Sequence, residues 1–485
     1  MTSLQYLIEE YWPHLAFLLS LLVGGSAAIH AAMTKNDVRA AIGWVGVILM
    51  SPLLGPLVYL IAGINRIRHD HLSDKSSDTP REYCGDNEPP LADVTHVAGS
   101  QFASLRVLGD RISKFQLREG NHIRILVGGD QAYPAMIAAI DKAGSSIALQ
   151  SYIFDNDREG RKFVDALAAA KQRGVEIRIL IDAVGSKYSR PSIVRLLRKH
   201  GLPCALFMTN PMGFMRMPYA NLRSHRKILV VDGRIGFTGG MNIREGFVSA
   251  VAGPDMASDT HFQVEGPVVS QLLSVFAHDW EFTTREALPY GIWRKEIGSA
   301  WQPGVPARCI RSGPDRYMVG THNMLLGAFA VAQQHIRIQS PYFLPDQILL
   351  GALNTAARRG IQVDVVIPGR NNLRLVNYAM TAQLDQVIRA GCRVWRADGN
   401  FNHSKLITID GAWSYIGSSN MDPRSLRLNF ELDMEIYSRD TAEEIEYLID
   451  SEIEHAEPVT LEGLAQIPFR KRLRNRIIWL ASPYL

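Results

Sequence analysis

The chain has 485 residues, of which 47% are hydrophobic and 21% charged, so it can form a large core and is not intrinsically disordered. Its 52 basic and 48 acidic residues give a net charge of +4, which is too small for the concentrated basic surface of a typical nucleic-acid-binding domain. The four cysteines lie far apart and form no CxxC pair; this disfavours a disulfide scaffold or a zinc site and predicts reduced, buried thiols.

Two long apolar segments come first in the chain. Residues 15–33 and 40–64 are almost free of ionisable side chains. About 20 apolar residues suffice to cross the hydrocarbon layer of a bilayer, so we expect two transmembrane helices, about 15–33 and 40–64. Pro52 and Pro56 should kink or locally open the second helix. The absence of Lys and Arg from residues 1–12 disfavours a cleavable signal peptide.

The polar linker between these helices is short, so the helices form a hairpin whose outer ends lie on one side of the membrane. The linker contains Lys35 and Arg39, whereas four basic residues follow the second helix: Arg66, Arg68, Lys75 and Arg81. Basic residues favour the cytoplasmic side of a membrane, which predicts a multi-pass protein with a cytoplasmic body. We assign residues 1–68 to the hairpin and residues 69–103 to a polar linker.

The body of the protein repeats itself loosely. Residues 146–154 resemble residues 335–343, and each segment is followed by a helical stretch, a basic residue with glycine, and a strand. Strand, helix and strand at this spacing form a βαβ unit. The sequence therefore predicts an α/β fold that is present twice, in residues 104–300 and 301–485.

Each half contains the same five residue types at the same spacing. These residues are His225, Lys227, Asp232, Gly239 and Asn242 in the first half, and His403, Lys405, Asp410, Gly417 and Asn420 in the second. Because the pattern occurs twice inside a wider duplication, coincidence is negligible. The repeat indicates a single site to which both halves contribute.

Strand geometry gives these residues their expected positions. Each His-x-Lys pair directly precedes an apolar run, so we expect both pairs on β-strands, with His and Lys on one face. Asp232 and Asp410 fall at the tight turn that ends each strand. For both aspartates, hydrogen bonding to local backbone is favoured over direct chemistry.

Two imidazoles and two ammonium groups converge if the halves face each other around a pseudo-dyad. Such a cluster, without a carboxylate cage, suits a phosphate diester and not a metal ion, so no metal or other cofactor is expected. One histidine would attack phosphorus and the other would protonate the leaving alkoxide. The groups expected to hold the phosphate oxygens are the two lysines, Asn242, Asn420, and the backbone near Gly239 and Gly417.

A nucleophilic imidazole also needs a partner for its other ring nitrogen. The strand after each hairpin offers one carboxylate: Asp259 follows His225 by 34 residues, and Glu431 follows His403 by 28 residues. We therefore expect each acid to orient the histidine of its own half. An equal alternative is that both are surface acids on a strand.

The paired motifs resemble those of the phospholipase D superfamily, and over nearly its whole length the chain is similar to bacterial cardiolipin synthases. The apolar hairpin, residues 223–233 and 402–411, and the basic C-terminal stretch carry this resemblance. It implies two pseudo-symmetric phospholipase D-like α/β halves that form one cleft, with Asp232 and Asp410 in the catalytic motif. It also implies a phosphatidyl-histidine intermediate, two phosphatidylglycerols giving cardiolipin and glycerol, and a place in the bacterial inner membrane.

Other activities fit the same motifs. A phospholipase D would hydrolyse the intermediate to phosphatidic acid, and a variant synthase would use phosphatidylethanolamine as one substrate. A nuclease has no use for membrane helices, so no nucleic-acid partner is expected, and a non-catalytic lipid scaffold needs no nucleophile. The expected partners are phosphatidylglycerol and anionic membrane lipid; the oligomeric state is open.

Two further segments suggest contact with lipid. Residues 206–219 contain four Met, two Phe and a Tyr, which is typical either of a loop that fills the core or of one that dips into a membrane. Residues 470–485 contain five basic residues followed by Ile, Ile, Trp and Leu. This tail is either an interfacial segment attracted to anionic lipid or a solvated helix end.

Overall fold

A computed structural model describes residues 3–35, 37–63, 92–208, 222–253, 256–293, 303–314 and 319–482. The chain divides into two compact units, residues 1–68 and 69–485. Each unit is described by itself below.

The N-terminal unit contains one long helix and a second, interrupted helical segment. Its elements are α1 (Ser3–Thr34), α2 (Val38–Met50), α3 (Leu54–Val58) and a π-helical turn (Tyr59–Gly63). Within the described residues, only Tyr11–Thr34 is long and apolar enough to cross a bilayer, with 24 residues and a mean hydropathy of 1.9. The predicted second span, 40–64, is therefore not continuous, and a two-helix transmembrane hairpin is not confirmed.

Proline accounts for the interruption. Pro52 lies between α2 and α3, where its missing N–H and its ring prevent a continuous helix. Gly24 of α1 lies against this turn, since a Cβ on Gly24 would be 3.3 Å from Cβ of Pro52. The same unit holds His30 Nδ1 and the Tyr59 hydroxyl 2.9 Å apart. Residues from both helical segments thus pack together inside this unit.

The second unit contains fifteen helices within its described residues. They are α4 (Val94–Val97), α5 (Phe102–Ile112), α6 (Gly128–Asp141), α7 (Arg158–Gln172), α8 (Ile193–Lys199), α9 (Ser249–Ala252), α10 (Val268–Thr284), α11 (Tyr290–Trp293), α12 (Gly320–Val331), α13 (Gln347–Arg358), α14 (Arg374–Arg389), α15 (Pro423–Arg427), α16 (Arg439–Glu454), α17 (Leu461–Ala465) and α18 (Phe469–Leu480). Two short 3₁₀ turns cover Gly185–Lys187 and Glu245–Phe247.

The strands of this unit belong mostly to one large sheet. They are β1 (Arg118–Val127), β2 (Ser146–Ser151), β3 (Glu176–Asp182), β4 (Cys204–Phe207), β5 (Arg223–Ser224), β6 (Ile228–Val231), β7 (Ile235–Gly239), β8 (Thr260–Glu265), β9 (Val305–Ser312), β10 (His335–Gln339), β11 (Gln362–Pro368), β12 (Arg393–Ala397), β13 (Leu406–Ile409), β14 (Trp413–Gly417), β15 (Asn429–Tyr437) and β16 (Ala456–Pro458).

The order of the strands shows the duplication. The sheet runs β16-β12-β11-β10-β13-β14-β15-β9-β1-β8-β7-β6-β2-β3-β4, with β5 beside β15. Outward from the central β9–β1 pair, the strands β15-β14-β13-β10-β11-β12 on one side correspond in order to β8-β7-β6-β2-β3-β4 on the other. Both predicted βαβ units are present, as β2-α7-β3 and β10-α13-β11, each with parallel strands. The chain is therefore a mixed α/β protein built from two equivalent halves.

Each half has its own apolar core. One cluster joins the helices and strands between Leu126 and Phe247, and the other centres on residues 310–437. The second cluster also includes Ala92, Val94 and Phe102, which are buried. The predicted linker, 69–103, is thus too long at its C-terminal end, and α5 packs on the second half although the sequence placed it in the first. Residues 69–91 lie outside the described residues.

The three cysteines that the structure describes are free thiols and form no disulfide bond with one another. Cys309 and Cys392 are buried free thiols, and Cys204 is a half-buried one. Cys84 lies outside the described residues. Burial raises the pKa of the Cys204 thiol to about 11, which keeps this thiol protonated and unreactive at neutral pH.

Candidate active site

The two His-x-Lys segments lie at the junction of the halves. Neither is part of a regular strand, contrary to the prediction: His225 lies between β5 and β6, and His403 lies three residues before the start of β13. Their main-chain bonds reach across to the opposite half. The amide of His225 donates to the carbonyl of Phe430 at 2.9 Å, and the amide of His403 donates to the carbonyl of Ser258 at 2.7 Å. These cross-bonds replace a strand ladder and hold both motifs at one place.

Each histidine is bound to a carboxylate of the other half. His225 Nδ1 is 3.0 Å from Glu431 Oε2, and His403 Nδ1 is 2.8 Å from Asp259 Oδ2. The two acids predicted from the sequence are therefore the partners of the two imidazoles, but the expected pairing within each half is wrong. Both carboxylates are fully buried, which excludes the alternative of surface acids.

Glu431 is held by a dense set of donors. Its carboxylate accepts hydrogen bonds from the hydroxyls of Ser418 at 2.6 Å and Ser425 at 2.9 Å, and from the amide of Asn429 at 3.0 Å. Burial would raise the pKa of Glu431, but its interaction with His225, the charge of Lys227 and the hydrogen bond from Ser418 outweigh burial and lower that pKa. Glu431 is thus ionised at neutral pH.

Asp259 has fewer partners than Glu431. Besides His403, its carboxylate accepts from the amide of Thr260 at 2.8 Å. Burial raises the pKa of Asp259 to about 6, despite the opposing charges of Lys405, His261 and Lys227. The two His–carboxylate pairs are alike in geometry, but the carboxylate of the second pair is more easily protonated.

The imidazoles are buried and disfavour positive charge. Burial lowers the pKa of His225, and the charge of Glu431 offsets this only in part. The pKa of His403 lies well below its usual value because of burial and the charges of Lys405 and Lys227. Because a carboxylate only accepts, the hydrogen of a neutral imidazole lies on Nδ1 and leaves a lone pair on Nε2. Nε2 can then act as a nucleophile or as a base.

The motif lysines stand beside their histidines. Lys227 donates to the main-chain oxygen of His225, and Lys405 does the same to His403. The ammonium nitrogen of Lys405 is also 3.2 Å from His403 Nε2. Burial lowers the pKa of Lys227 to about 7 and that of Lys405 to about 8. An anionic phosphate would favour the charged form of both lysines.

Asp232 and Asp410 point away from the imidazoles and bind backbone. Asp232 accepts from the amides of residues 144, 145 and 146, and Asp410 from those of residues 333, 334 and 335. Each carboxylate thereby fixes the start of β2 or β10. Both residues have positive φ, 52° and 53°, at the turn between two strands of the motif hairpin, a conformation that Asp tolerates better than most residues.

The Gly and Asn positions differ in what they touch. A Cβ on Gly239 would lie 2.8 Å from Nδ1 of His261, and one on Gly417 would collide with Asp433, so both sites require glycine. Asn242 Oδ1 accepts from the amide of Ile153 at 3.0 Å, which leaves its Nδ2 for a phosphate oxygen. Asn420 instead donates its Nδ2 to the Ser425 hydroxyl at 3.2 Å.

Several side chains of the site were not predicted from the two motifs. Arg226, between the motif His and Lys, is fully buried and pairs with Asp279 at 2.5 Å. Tyr152 and Tyr342 pack edge-on against His225 and His403, with ring centroids 5.2 and 6.0 Å apart. The tyrosines lie in the repeated segments 146–154 and 335–343, so the internal repeat was the signal that could have found them.

Within the part of the chain that the structure describes, no three His, Cys, Asp or Glu side chains form a group that could hold a metal ion.

The two serines after Gly417 bind carboxylates: Ser418 donates its hydroxyl to Glu431, and Ser419 donates its hydroxyl to Asp433. These bonds occupy the two hydroxyls within the protein.

Comparisons with known proteins match this site and this fold. A family model described as cardiolipin synthase, phospholipase D-like domain, matches residues 136–280 and 325–453. The chain is 32% identical to cardiolipin synthase A of Pseudomonas fluorescens Pf-5, over 99% of this chain and 100% of that one. The chain belongs to the cardiolipin synthase family. This confirms the resemblance seen in the paired motifs.

Further relatives of this family agree. Cardiolipin synthase A of Pseudomonas putida GB-1 is also 32% identical, over 97% of this chain and 98% of the relative. A model described as phospholipase D-nuclease N-terminal matches residues 26–63. The crystal structure of phosphatidylserine synthase from Haemophilus influenzae Rd KW20 has a TM-score of 0.61 at 15% identity, and covers 79% of this chain and 100% of its own. The last likeness concerns the fold.

Proposed function

We propose that this phosphatidyltransferase makes cardiolipin from two phosphatidylglycerols through a phosphatidyl-histidine formed between the halves. Membership of the cardiolipin synthase family, over 99% of the chain, supports the overall reaction. The observation that carries the mechanism is the crossed pairing of two buried imidazoles with two buried carboxylates. Such a pair of oriented imidazoles can supply one nucleophile and one acid–base group.

The first step transfers a phosphatidyl group to the enzyme. Nε2 of one histidine attacks phosphorus, and the bond from phosphorus to the oxygen of the terminal glycerol breaks. The other histidine, as imidazolium, donates its proton to that oxygen, so glycerol leaves as a neutral alcohol. The ionised carboxylate behind the nucleophile stabilises the positive charge that the attacking imidazole acquires.

In the second step the histidine that acted as an acid acts as a base, and the nucleophilic histidine becomes the leaving group. The deprotonated imidazole takes the proton of a glycerol hydroxyl of the second phosphatidylglycerol, whose oxygen attacks phosphorus while the phosphorus–nitrogen bond breaks. Cardiolipin leaves, and the two imidazoles return to their starting forms. Two successive displacements retain the configuration at phosphorus. Lys227 and Lys405 neutralise charge on the phosphate oxygens, and the Asn242 amide donates a hydrogen bond to them.

The membrane arrangement belongs to the same proposal. The helix Tyr11–Thr34 crosses the bacterial inner membrane, whereas residues 38–63 enter it and turn back at Pro52, since Lys35 donates to the carbonyl of Gly63 and the Tyr59 hydroxyl lies 2.9 Å from His30 Nδ1. Lys35 and Gly63 thus lie at the same end of the helix, on the cytoplasmic side with the body. The apolar character of both segments and the basic residues after them support this topology. A cysteine introduced at Lys35 should therefore react with a membrane-impermeant thiol reagent only after spheroplasts are permeabilised; labelling from outside intact spheroplasts contradicts this topology.

Product analysis tests the reaction. Purified full-length protein is incubated with headgroup-labelled phosphatidylglycerol, with or without phosphatidylethanolamine. Cardiolipin with stoichiometric release of glycerol is expected. Phosphatidic acid as the main product would instead show hydrolysis, and loss of ethanolamine would show the mixed reaction. Acid-labile, base-stable phosphate on a peptide that contains His225 or His403 identifies the intermediate, and its absence during turnover overturns the covalent mechanism.

A further inference from the structure

The C-terminal helix α18 (Phe469–Leu480) exposes a row of large apolar side chains. Phe469 is 68% exposed, Leu473 48%, Ile477 59% and Leu480 73%. Their spacing of four, four and three residues places them on one face of the helix. Four large apolar residues in one row form a continuous apolar stripe, whereas single exposed ones are common on any surface.

The other face of α18 is fixed to the body. Asn475 is buried, and Ile478 and Trp479 pack against the core of the second half. At 3.6 residues per turn, these three positions lie on the side of the helix opposite the stripe. The helix therefore has a defined orientation, and it presents the stripe outward.

Positive charge flanks the stripe. Between Phe469 and Leu480 the helix contains no acidic residue and five basic ones: Arg470, Lys471, Arg472, Arg474 and Arg476. Helical geometry places Arg470 and Arg474 on one side of the stripe and Arg472 and Arg476 on the other. Arg474 lies over the ring of Tyr378, and Arg476 pairs with Asp385 at 3.0 Å. The basic groups thus border the apolar row along its length.

A cleft beside the helix has the same mixed chemistry. It has a volume of about 450 Å³ and lies between α14, α17 and α18. Leu461, Leu464 and Leu473 give it apolar walls. Its charged lining consists of Arg389, Arg472, and the ion pair of Arg476 with Asp385, so the arginines outnumber the single acid. Arginine beside an apolar wall suits a phosphate group with attached hydrocarbon. A partner without hydrocarbon chains would leave the apolar wall without a contact, and a partner without negative charge would leave the arginines without one.

We propose that α18 docks on the surface of a bilayer that contains anionic phospholipid, as a second membrane contact separate from the N-terminal helix. The apolar stripe enters the boundary between headgroups and acyl chains, and the flanking basic residues bind lipid phosphates. This docking attaches the second half of the catalytic body to the lipid surface. It requires the charge and the stripe of α18 and is independent of the proposed transfer reaction.

A fluorescent probe on the stripe tests this docking in the full chain. In a Cys84→Ser, Cys204→Ser background, an environment-sensitive dye is attached at Ile477→Cys, or at Tyr447→Cys on α16 as a control of similar exposure, 74%. In vesicles with phosphatidylglycerol, the dye at 477 should shift to the blue and be quenched by spin-labelled acyl chains. In phosphatidylcholine vesicles it should behave as in water, as the control should throughout.

Two results would overturn the proposal. One is a dye at 477 that is as exposed to water as the control in phosphatidylglycerol vesicles. The other is shielding that is independent of anionic lipid and grows with protein concentration, which would show that a second copy covers the stripe. The variant R470Q/R472Q removes one basic residue from each side of the stripe and tests the charge, since the docked-to-free ratio should fall about fivefold for each basic residue removed. An unchanged ratio contradicts binding to lipid phosphate, and thermal unfolding checks that the variant is folded.

Discussion

At the scale of residues, the two His–carboxylate pairs differ in how firmly the carboxylate is ionised. Glu431 is bound by Ser418, Ser425 and Asn429 and has a lowered pKa. Asp259 has one backbone donor besides its histidine, and burial raises its pKa to about 6. The pKa of Asp259 therefore lies close to neutral pH, whereas that of Glu431 lies below its usual value.

This difference predicts a bell-shaped dependence of kcat/KM on pH. As the pH falls through about 6, Asp259 gains a proton and no longer stabilises charge on His403, so the rate falls. As the pH rises through about 7 to 8, Lys227 and then Lys405 lose their charge, and the rate falls again. The profile is measured with phosphatidylglycerol in mixed micelles.

Substitution identifies the group behind the acid limb. Asp259→Asn should remove that limb and lower kcat by about 10²- to 10⁴-fold, the usual contribution of an acid–base group. The matched control is Asp433→Asn, since burial also raises the pKa of Asp433 to about 6 but its carboxylate binds Thr321 and Ser419. If the limb disappears in this control and persists in Asp259→Asn, the assignment is wrong.

The second acid has its own test. Glu431→Gln should lower kcat by about 10²-fold or more, because the uncharged amide no longer stabilises positive charge on His225. Glu446→Gln is the control, since Glu446 also pairs with a histidine, His335, at 2.8 Å but outside the motifs. We expect its turnover to be unchanged. Equal losses in both variants would show that the effect of Glu431 is structural.

Most residues of this site can be predicted from the sequence, because they occur at fixed spacings within short segments of the chain. The two motifs and the two acids were found from spacing and alternation alone. The crossed pairing was not predictable in this way, because it depends on how β8 and β15 meet beside the opposite histidine. The same applies to Arg226, whose partner Asp279 lies 53 residues away on α10.

At the scale of elements, the segment between β5 and β6 is held by a buried ion pair. Arg226 reaches Asp279 on α10, and it also donates to the main-chain oxygens of Ser312 on β9 and Glu431 on β15. One side chain therefore ties the first motif to strands of the second half. This explains how a segment without a strand ladder keeps His225 in place.

Breaking this pair should destabilise the fold. Arg226→Met leaves the buried carboxylate of Asp279 unpaired, and we expect a loss of about 3–5 kcal/mol in the free energy of unfolding. Arg226→Met with Asp279→Leu should recover part of it, because both charges are gone. Arg106→Gln, which breaks an exposed pair with Asp110, should cost at most about 1 kcal/mol. Denaturant unfolding of the detergent-solubilised protein measures all three, and equal losses for the exposed and buried pairs contradict the argument.

The N-terminal helices show where sequence patterns alone are insufficient. Hydropathy treats residues 40–64 as one span, but Pro52 separates α2 from α3 and the last turn is π-helical. Composition reports how apolar a segment is, whereas the backbone depends on single residues such as this proline. The α/β class and both βαβ units followed from periodicity, since strands and helices there are regular.

At the scale of the whole molecule, the site needs both halves but only one of the two units. Both His–carboxylate pairs involve residues between His225 and Glu431, all within the unit 69–485. Each pair takes one member from each half, so neither half alone can form an oriented imidazole. The proposed mechanism therefore places catalysis in the body, and we expect the apolar helix Tyr11–Thr34 to bring the body to its lipid substrate.

Removal of residues 3–63 separates these two contributions. The truncated protein should keep its kcat on phosphatidylglycerol in mixed micelles, because the contacts of both imidazoles remain. In bilayers its activity should fall through a higher KM, since a protein that is not anchored must first find the surface. A chain in which an unrelated transmembrane helix replaces Ser3–Thr34 should regain activity in bilayers. Loss of activity in micelles and bilayers alike would show instead that the N-terminal unit supports the fold of the catalytic body.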